Sequence, residues 1–551
     1  MPEKHWIDPV GAAMLAHHMR LSRRRLLYAS LTGALASWWR PQSVWSAVLR
    51  GGTLFVGMVA EPTMLTSGVS TDGMAQLISP KIFDGLFAYD DDLNPVAQLA
   101  TSSHWSKDQL ALTLTLRSGV RWHDGHPFTS ADVAFSALQL WKQYHSRGRT
   151  TFANLLAVDT PDDSTAIFRL SSPAPYLMSA LGSAESQILP KHLYAGTDPL
   201  SNPHNNAPVG TGPYRYAAWK RGEHVELARN PDYWDQPRPY LEQIIFQVVH
   251  DSAAMAVALE TEEIHIALGA QPVDLVRLSK LGILAVDPPA IRSYIYAGLA
   301  FNLDRPLFRD VRIRRAIAHA VDQSFILNNI YLGYGAVGTG PIPPGLKPFY
   351  SGDVPRYPFD PAKAAVLLDQ AGLKPDGNGV RLSAVFCPQI GNDATRRQAD
   401  YIKQALGKVG IRLDMQTTDF AAYIRRIYSE RNFDICTYTG SAGPDPAIGT
   451  QRIFWSKNYK PGVAFSNVAH YASPEADRYL EAAQVETDAG KRVELYKDFQ
   501  RVVQTDLPLI PLPAPDVNVV RSRRLTDYRT TADGAYGNFA DAQLARKSSA
   551  G

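Results

Sequence analysis

Strand-like and helix-like segments alternate between residues 380 and 438. Strand patterns cover residues 380–387, 411–416 and 433–438, and helical patterns cover residues 395–409 and 423–430. Consecutive strands that are joined through helices lie parallel in one sheet, and the helices cover its faces. The sequence therefore predicts an α/β fold in which the first and third of these strands end at the same edge of a sheet.

A second segment, residues 110–141, predicts a strand, two turns and a helix in succession. The leucines at positions 110, 112, 114 and 116 alternate with less apolar residues, which is the period of a half-buried strand. Gly119 and Gly125 belong to turn signals. Thr129 is followed three residues later by Asp132, which is the spacing of an acidic capping box, so we expect a helix to begin there.

Residues 1–46 have the features of a twin-arginine-type signal peptide. Arg23 and Arg24 lie in the run SRRRLL, and the apolar run at 26–39 is short for a membrane span. Residues 44–46 suit a signal peptidase site, so we expect cleavage near Ser46 and a periplasmic protein. An uncleaved anchor is the alternative, and Met19 is a second candidate start. No cysteine follows the apolar run, so a lipoprotein is not expected.

Removal of this leader changes what the charge implies. The whole chain carries a formal net charge of +3. The leader has six basic and two acidic residues, a net charge of +4, so the remainder carries +3 minus +4, or −1. The mature chain therefore has no basic excess that would indicate a nucleic-acid partner. The chain has 551 residues, which is more than a single hydrophobic core usually holds, so two or three domains are expected.

Three runs carry a resemblance to a known family. Residues 116–133 contain LR, GV, WHDG and ADV, residues 207–216 read APVGTGPYRY, and residues 230–234 read NPDYW. These runs resemble those of the family 5 extracellular solute-binding proteins, the peptide- and nickel-type receptors of ABC importers. The resemblance implies a two-lobed periplasmic-binding-protein (Venus flytrap) fold with mixed sheets and an extra subdomain in the first lobe. It also implies a monomer that closes on its ligand and is recognised by membrane permease subunits.

The same resemblance sets the expected domain limits. Residues 47–293 would form the first lobe, with an inserted subdomain at about 88–205. Residues 294–510 would form the second lobe, and residues 511–551 would return to the first lobe and end in a tail.

Motifs for catalysis and cofactors give no support for an enzyme. Residues 333–338 match GxGxxG but follow a helical pattern, whereas a dinucleotide site follows a strand and opens a helix. The run His123-Asp124-Gly125-His126 has metal-binding residue types, yet Asp-Gly is a turn signal, so we interpret the run as structural. We expect no catalytic residue, no cofactor and no metal ion. A secreted enzyme on the same scaffold, and a chaperone or signalling receptor, stay open as other classes.

The binding residues are expected where parallel strands end and, from the family resemblance, in one loop of the first lobe. The expected set is Thr66, Ser67 and Gly68 in the first lobe and Cys387, Pro388, Gln389, Tyr438, Thr439, Gly440, Ser441 and Asp445 in the second. Asp445 would face a ligand ammonium or, alternatively, only start a turn with Pro446.

The expected ligand is a peptide or a peptide-like molecule. Dipeptide-type receptors of the family place an acid where Ser441 stands here, and an Arg soon after a strand like residues 380–387, where this chain has none before Arg396. We therefore expect a longer or modified peptide in preference to a free dipeptide. A metal chelate, an opine or a glycoside is the alternative.

The two cysteines are expected to be neighbours in the second lobe. Cys387 ends the first strand of the alternating run and Cys436 lies in the third. A sheet order of 2-1-3 would place these strands side by side. Buried thiols are favoured, with a disulfide as the alternative.

Overall fold

The computed structural model describes residues 49–145, 147–289 and 294–547. The expected signal peptide, residues 1–46, lies outside the described residues. No helix in the described ranges combines the length and the apolar character that crossing a membrane requires.

The first lobe is built on a mixed seven-stranded sheet. Thr53–Met58 lies in its interior, parallel to both of its neighbours, and the other pairs are antiparallel. From edge to edge the strands are Leu284–Asp287, Val519–Ser522, Ile266–Leu268, Thr53–Met58, Gln243–Val248, His224–Arg229 and Tyr214–Lys220. Val519–Ser522, from the C-terminal part of the chain, therefore pairs inside the sheet that also contains Thr53–Met58.

A four-stranded antiparallel sheet forms a separate layer of the first lobe. Its strands, in order, are Ala100–Trp105, Ala111–Leu116, Thr165–Leu170 and Leu155–Asp162. The three leucines of Ala111–Leu116 are buried, as their alternation predicted. The helix Ser130–Phe135 begins directly after Thr129 and continues as the π-helix Ser136–Trp141. The predicted succession of strand, turns and helix is therefore confirmed.

Asp132 and His123 hold this segment in place. The Asp132 carboxylate accepts hydrogen bonds from the Thr129 backbone N–H at 3.0 Å and from the Lys191 backbone N–H at 2.9 Å. The His123 ring accepts from the Gly210 N–H at 3.2 Å, and its other nitrogen lies 3.0 Å from the Gly212 carbonyl oxygen. These side chains tie the turn at 122–126 to two segments that are distant in sequence.

The second lobe is built on a five-stranded mixed sheet. Its order is Ile411–Met415, Leu382–Cys387, Ile435–Ser441, Ile295–Phe301 and Leu509–Pro511. The first three strands are parallel in the expected order 2-1-3, which is confirmed. The third strand runs to Ser441, three residues beyond its predicted end, because its pairing with Ile295–Phe301 continues to the Ile295–Ser441 pair. Tyr438 consequently lies inside a strand and not at its end.

The remaining secondary structure of the described residues consists of short two-stranded ladders and further helices. The two-stranded ladders are Phe87–Tyr89 with Pro95–Ala97, Gly335–Val337 with Pro513–Pro515, and Leu525–Thr526 with Gln543–Leu544. The remaining α-helices are Gly73–Ile82, Gly148–Thr151, Lys191–Tyr194, Ser252–Glu260, Pro272–Leu278, Pro306–Arg309, Val311–Ala320, Gln323–Phe325, Pro361–Gln370, Asp393–Gly407, Phe420–Ile424, Thr450–Phe454, Pro474–Val485 and Ala489–Asp506. Two further π-helices are Ile326–Ile330 and Arg425–Ser429, and the 3-10 turns are Leu177–Ala180, Pro203–Asn205, Ser456–Asn458 and Gly534–Tyr536.

Cys387 and Cys436 occupy paired positions on adjacent parallel strands. Both are buried free thiols. Burial raises the pKa of Cys387 to about 11 and raises that of Cys436 further. Since the thiolate is the reactive form, both side chains are held in their unreactive state.

We expect a thiol reagent to leave the native protein unmodified at mildly alkaline pH, because both thiols are buried and protonated. After unfolding in guanidinium chloride without reductant, the same reagent should titrate two thiols per chain. The measurement is the absorbance of the coloured group that each reacting thiol releases from the reagent. Zero thiols in the unfolded, unreduced protein would mean that the two side chains form a disulfide.

Candidate functional site

A cavity of about 250 Å³ lies between the two lobes. This volume is slightly below the roughly 300–1,000 Å³ of typical small-molecule sites. The first lobe and the C-terminal segment contribute Gly73, Gln76, Arg147, Ala184, Glu185, Val517, Asp533 and Tyr536, and the second lobe contributes Tyr294, Ile295, Ser441, Gly443 and Pro444. The cavity therefore has walls from both lobes.

The most polar feature of the first-lobe wall is an ion pair between Arg147 and Glu185. Arg147 Nε donates to one carboxylate oxygen at 2.7 Å, and a terminal guanidinium nitrogen lies 2.7 Å from the other. The two side chains are only 9% and 11% exposed. Two parallel bonds of this kind are the strong geometry for an arginine–carboxylate pair. This pair presents a positive and a negative group to the cavity and carries no net charge of its own.

His145 lies two residues before this pair and is fully buried. Its Nδ1 accepts a hydrogen bond from the Gly148 N–H at 2.9 Å. Burial, followed by the positive charge of Arg147, lowers the pKa of His145 to about 4. The imidazole is therefore neutral at neutral pH.

The second-lobe wall is the segment that follows the strand Ile435–Ser441. Ser441 Oγ accepts a hydrogen bond from the Gly443 N–H at 3.1 Å. Gly443 has a φ of +70°, a backbone conformation that suits glycine. The next glycine in the loop, Gly449, lies so close to the Ala442 carbonyl oxygen that a Cβ atom there would be only 1.9 Å from it. These contacts make residues 442–449 a tight loop.

Asp445 anchors this loop to the helix Ala489–Asp506. Its carboxylate oxygens accept from the guanidinium of Arg492 at 2.6 and 2.7 Å, and both side chains are almost fully buried. One of these oxygens also accepts from the Ala447 N–H at 2.9 Å. Asp445 thus has a partner within its own lobe and does not line the cavity.

The tip of the loop packs against the first lobe. Ala447 and Ile448 are buried and belong to the main hydrophobic cluster of the first lobe. The buried apolar side chains of the second-lobe sheet belong to two other clusters. The lobes are therefore in contact beside the cavity, through apolar side chains.

The expected first-lobe loop, Thr66 to Gly68, lies behind the cavity wall. The side-chain oxygen of Gln187 accepts from the Thr66 hydroxyl at 2.5 Å and from the backbone N–H groups of Ser67 and Gly68 at 2.9 and 3.0 Å. The Ser67 hydroxyl donates to the Ser183 carbonyl oxygen at 3.3 Å. The loop thereby holds the segment 183–187, which carries Glu185, and does not itself line the cavity.

Of the eight expected residues in the second lobe, only Ser441 lines the cavity. Gln389 joins two strands, since its N–H donates to the Thr437 hydroxyl at 2.7 Å and its side-chain oxygen accepts from the Thr439 N–H at 3.3 Å. Cys387 and Pro388 are buried, and Gly440 packs against the ring and hydroxyl of Tyr438.

Tyr438 is a core residue of the second lobe. It is only 3% exposed and contacts the aromatic rings of Tyr296 and Phe465. Burial raises the pKa of its hydroxyl to about 12. Direct stacking of Tyr438 on a ligand has no support in this arrangement.

Several cavity residues were absent from the expected set, notably Gln76, Arg147, Glu185 and Tyr294. None of them lies in a recognisable motif. Arg147 and Glu185 are 38 residues apart in sequence, and only the tertiary fold brings them together. No local pattern in the sequence would have identified this pair.

The pKa of His145 predicts how acid affects stability. Between pH 6.5 and pH 4, His145 is mostly protonated in the unfolded chain and mostly neutral in the folded protein. Its contribution to stability is therefore fully present above pH 6.5 and is lost as the pH falls towards 4. The loss amounts to about 3 kcal/mol. In His145→Asn, which keeps an acceptor for the Gly148 N–H, we expect a weaker decline in the free energy of unfolding. Urea titrations over this pH range measure it.

The control variant for this experiment is His250→Asn, since His250 is exposed. Its pH dependence should match that of the unmodified protein. If His145→Asn lost stability in acid as steeply as the unmodified protein, the titration of His145 would not be the cause.

Comparison with known proteins gives the same architecture. The model of the bacterial extracellular solute-binding proteins, family 5 (middle part), matches residues 94–462. The oligopeptide-binding protein AppA of Bacillus subtilis is 28% identical over 499 residues, covering 87% of this chain and 89% of AppA.

Two solved structures show the similarity in three dimensions. AppA of Bacillus subtilis in complex with a nonapeptide has a TM-score of 0.79 at 26% identity and covers 90% of this chain and 100% of its own. NikZ of Campylobacter jejuni in complex with Ni(L-His) has a TM-score of 0.77 at 25% identity, with 88% of this chain and 97% of its own covered. The family match spans well over half of the sequence, so this chain belongs to the family 5 extracellular solute-binding proteins, the substrate receptors of ABC importers, and has their two-lobed α/β fold.

Proposed function

We propose that this protein binds a peptide or a peptide-like molecule in the cavity between its lobes and delivers it to the permease subunits of an ABC importer. The observation that carries the proposal is the cavity wall with the buried Arg147–Glu185 pair, which faces a second wall made by the loop after Ser441. AppA, a relative over most of the chain, is an oligopeptide-binding protein, and its solved structure holds a nonapeptide.

The chemistry of the two walls suits the main chain of a peptide. The main chain of a peptide offers amide donors and carbonyl acceptors in alternation and is uncharged between its two termini. Arg147 and Glu185 together supply donor and acceptor groups without net charge, Gln76 and Ser441 add neutral polar groups, and Asp533 adds a carboxylate. A ligand held in this way is recognised by hydrogen bonds and shape.

We propose that the binding residues expected from the sequence have different roles in the site. Ser441 would contact the ligand directly. Thr66, Ser67 and Gly68 would act by holding the segment that carries Glu185, and Gln389 by holding the strand that ends at Ser441. Asp445 would fix the loop of the second-lobe wall.

The test begins with identification of co-purified ligands by native mass spectrometry, followed by calorimetry of the stripped protein with a peptide library. Arg147→Ala should weaken peptide binding by about 10- to 150-fold, because hydrogen bonds to charged groups contribute about 1.5–3 kcal/mol. The matched control is Arg169→Ala, which removes an arginine from an ion pair with Asp159 that is about half exposed.

Arg169→Ala should bind peptides like the unmodified protein. Equal peptide affinities for all three proteins would remove the Arg147–Glu185 wall from the proposed site. Co-purification of a metal chelate, an opine or a glycoside, together with no peptide binding, would replace the proposed ligand class.

The proposal includes export to the periplasm as a monomer, with residues 1–46 removed. Changing both Arg23 and Arg24 to Lys should leave the precursor in the cytoplasm, because the twin-arginine pathway reads the arginine pair and not its charge. Immunoblots of periplasmic and cytoplasmic fractions are the measurement. Arg25→Lys, next to the pair, is the control and should be exported normally. Normal export of the double variant would show that another pathway is used.

A further inference from the structure

A cluster of two histidines and one aspartate lies on the first lobe, away from the cavity. Asp124 and His126 belong to the turn at 123–126, and His192 belongs to the helix Lys191–Tyr194. The Asp124 carboxylate lies 2.7 Å from His192 Nε2 and 3.3 Å from His126 Nδ1. The two imidazole rings are stacked, with centroids 4.2 Å apart. One ligand atom from each of the three residues lies within 4.8 Å of the others.

We propose that Asp124, His126 and His192 form a binding site for a divalent transition-metal ion of the zinc type. Two imidazole nitrogens and one carboxylate oxygen are a common ligand set for zinc, and the same donors bind nickel, cobalt and copper. The proposal goes beyond transport, since none of the three residues lines the cavity.

Hydrogen bonding alone does not account for the cluster. One histidine is sufficient to pair with Asp124, whereas ring nitrogens of two histidines lie within 3.3 Å of its carboxylate. A metal ion uses the neutral form of both rings and the charged form of the carboxylate. Binding of one metal ion by all three side chains would therefore account for their convergence.

The backbone on both sides of the cluster is held by partly buried hydrogen bonds. On one side the His123 ring is bonded to Gly210 and Gly212. On the other, the Lys191 N–H, directly before His192, donates to Asp132 at 2.9 Å. The ligand-bearing segments are thus joined to the same part of the lobe, so little conformational entropy is lost when an ion binds.

The exposure of the cluster leaves room for further ligands. The side chains of Asp124 and His192 are each 27% exposed and that of His126 is 60% exposed. A tetrahedral ion held by three protein ligands keeps a fourth position for water or for an incoming group. The proposed site is therefore open to solvent. This assignment revises the expectation that the run His123-Asp124-Gly125-His126 is structural only, since His123 and Asp132 perform the structural part.

The experiment uses the full mature protein, without an affinity tag and after treatment with a chelator. Calorimetric titration with zinc chloride should show one ion bound per chain, and cobalt chloride should produce the visible absorption bands of a Co²⁺ ion with nitrogen ligands. His126→Gln and His192→Gln should each weaken zinc binding at least tenfold. His104→Gln, which changes an exposed histidine on the strand Ala100–Trp105, should leave zinc binding unchanged.

Circular dichroism and thermal unfolding without metal verify that the variants are folded, and the unmodified protein should gain thermal stability on addition of zinc while the two cluster variants gain less. Absence of stoichiometric zinc binding would overturn the proposal. Zinc binding that both cluster variants retain unchanged would also overturn it, since the ion would then lie elsewhere, for example in the cavity.

Discussion

The buried ion pair between Asp445 and Arg492 connects the features on which the site depends. Removing two charges from water is costly, and good geometry together with further hydrogen bonds is required to offset that cost. Here Arg492 makes two bonds to Asp445 and donates to the Ala483 carbonyl oxygen at 2.8 Å. The pair joins the loop 442–449 to the helix Ala489–Asp506. One end of that loop forms the cavity wall, and its tip reaches the first lobe through Ile448.

The contacts of the first lobe explain why two distant sequence runs occur together. His123, from the run WHDG, bonds to Gly210 and Gly212, from the run PVGTGPY. These glycines in turn lie against the end of the helix Gly73–Ile82, where a Cβ on Gly210 would be 1.9 Å from the Ile82 carbonyl oxygen. The start of the same helix lines the cavity at Gln76. The two runs thus position a cavity wall without contacting the cavity themselves.

The parts of the fold that could be predicted are those set by neighbours in sequence. The capping spacing of Thr129 and Asp132 and the alternation of strands and helices at 380–438 depend on local periodicity, and both predictions are confirmed. The sequence pattern predicts that this strand ends at residue 438, three residues before its observed end at Ser441. The difference arises because the partner strand, Ile295–Phe301, lies far away in sequence.

The site was harder to predict for the same reason. From sequence, Asp445 had two interpretations, as a ligand acid or as a turn residue, and the residue that determines its role, Arg492, lies 47 positions later. Arg147 and Glu185 meet only through the tertiary fold. Strand-end reasoning could not distinguish Ser441, which lines the cavity, from Tyr438, which lies in the core.

Under the proposed function, the division of the cavity between two lobes would determine how a ligand acts on this protein. A ligand shifts an equilibrium between open and closed forms only by the difference in its affinity for the two. Arg147 and Glu185 belong to one lobe and Ser441 to the other, so a molecule that contacts both walls makes all its contacts only when the lobes are together. The apolar contact of Ile448 with the first lobe would then add to the stability of the form in which the lobes are together. Ligand binding would then need to add only the remaining free energy of closure, and contacts to one wall alone would contribute affinity without driving closure.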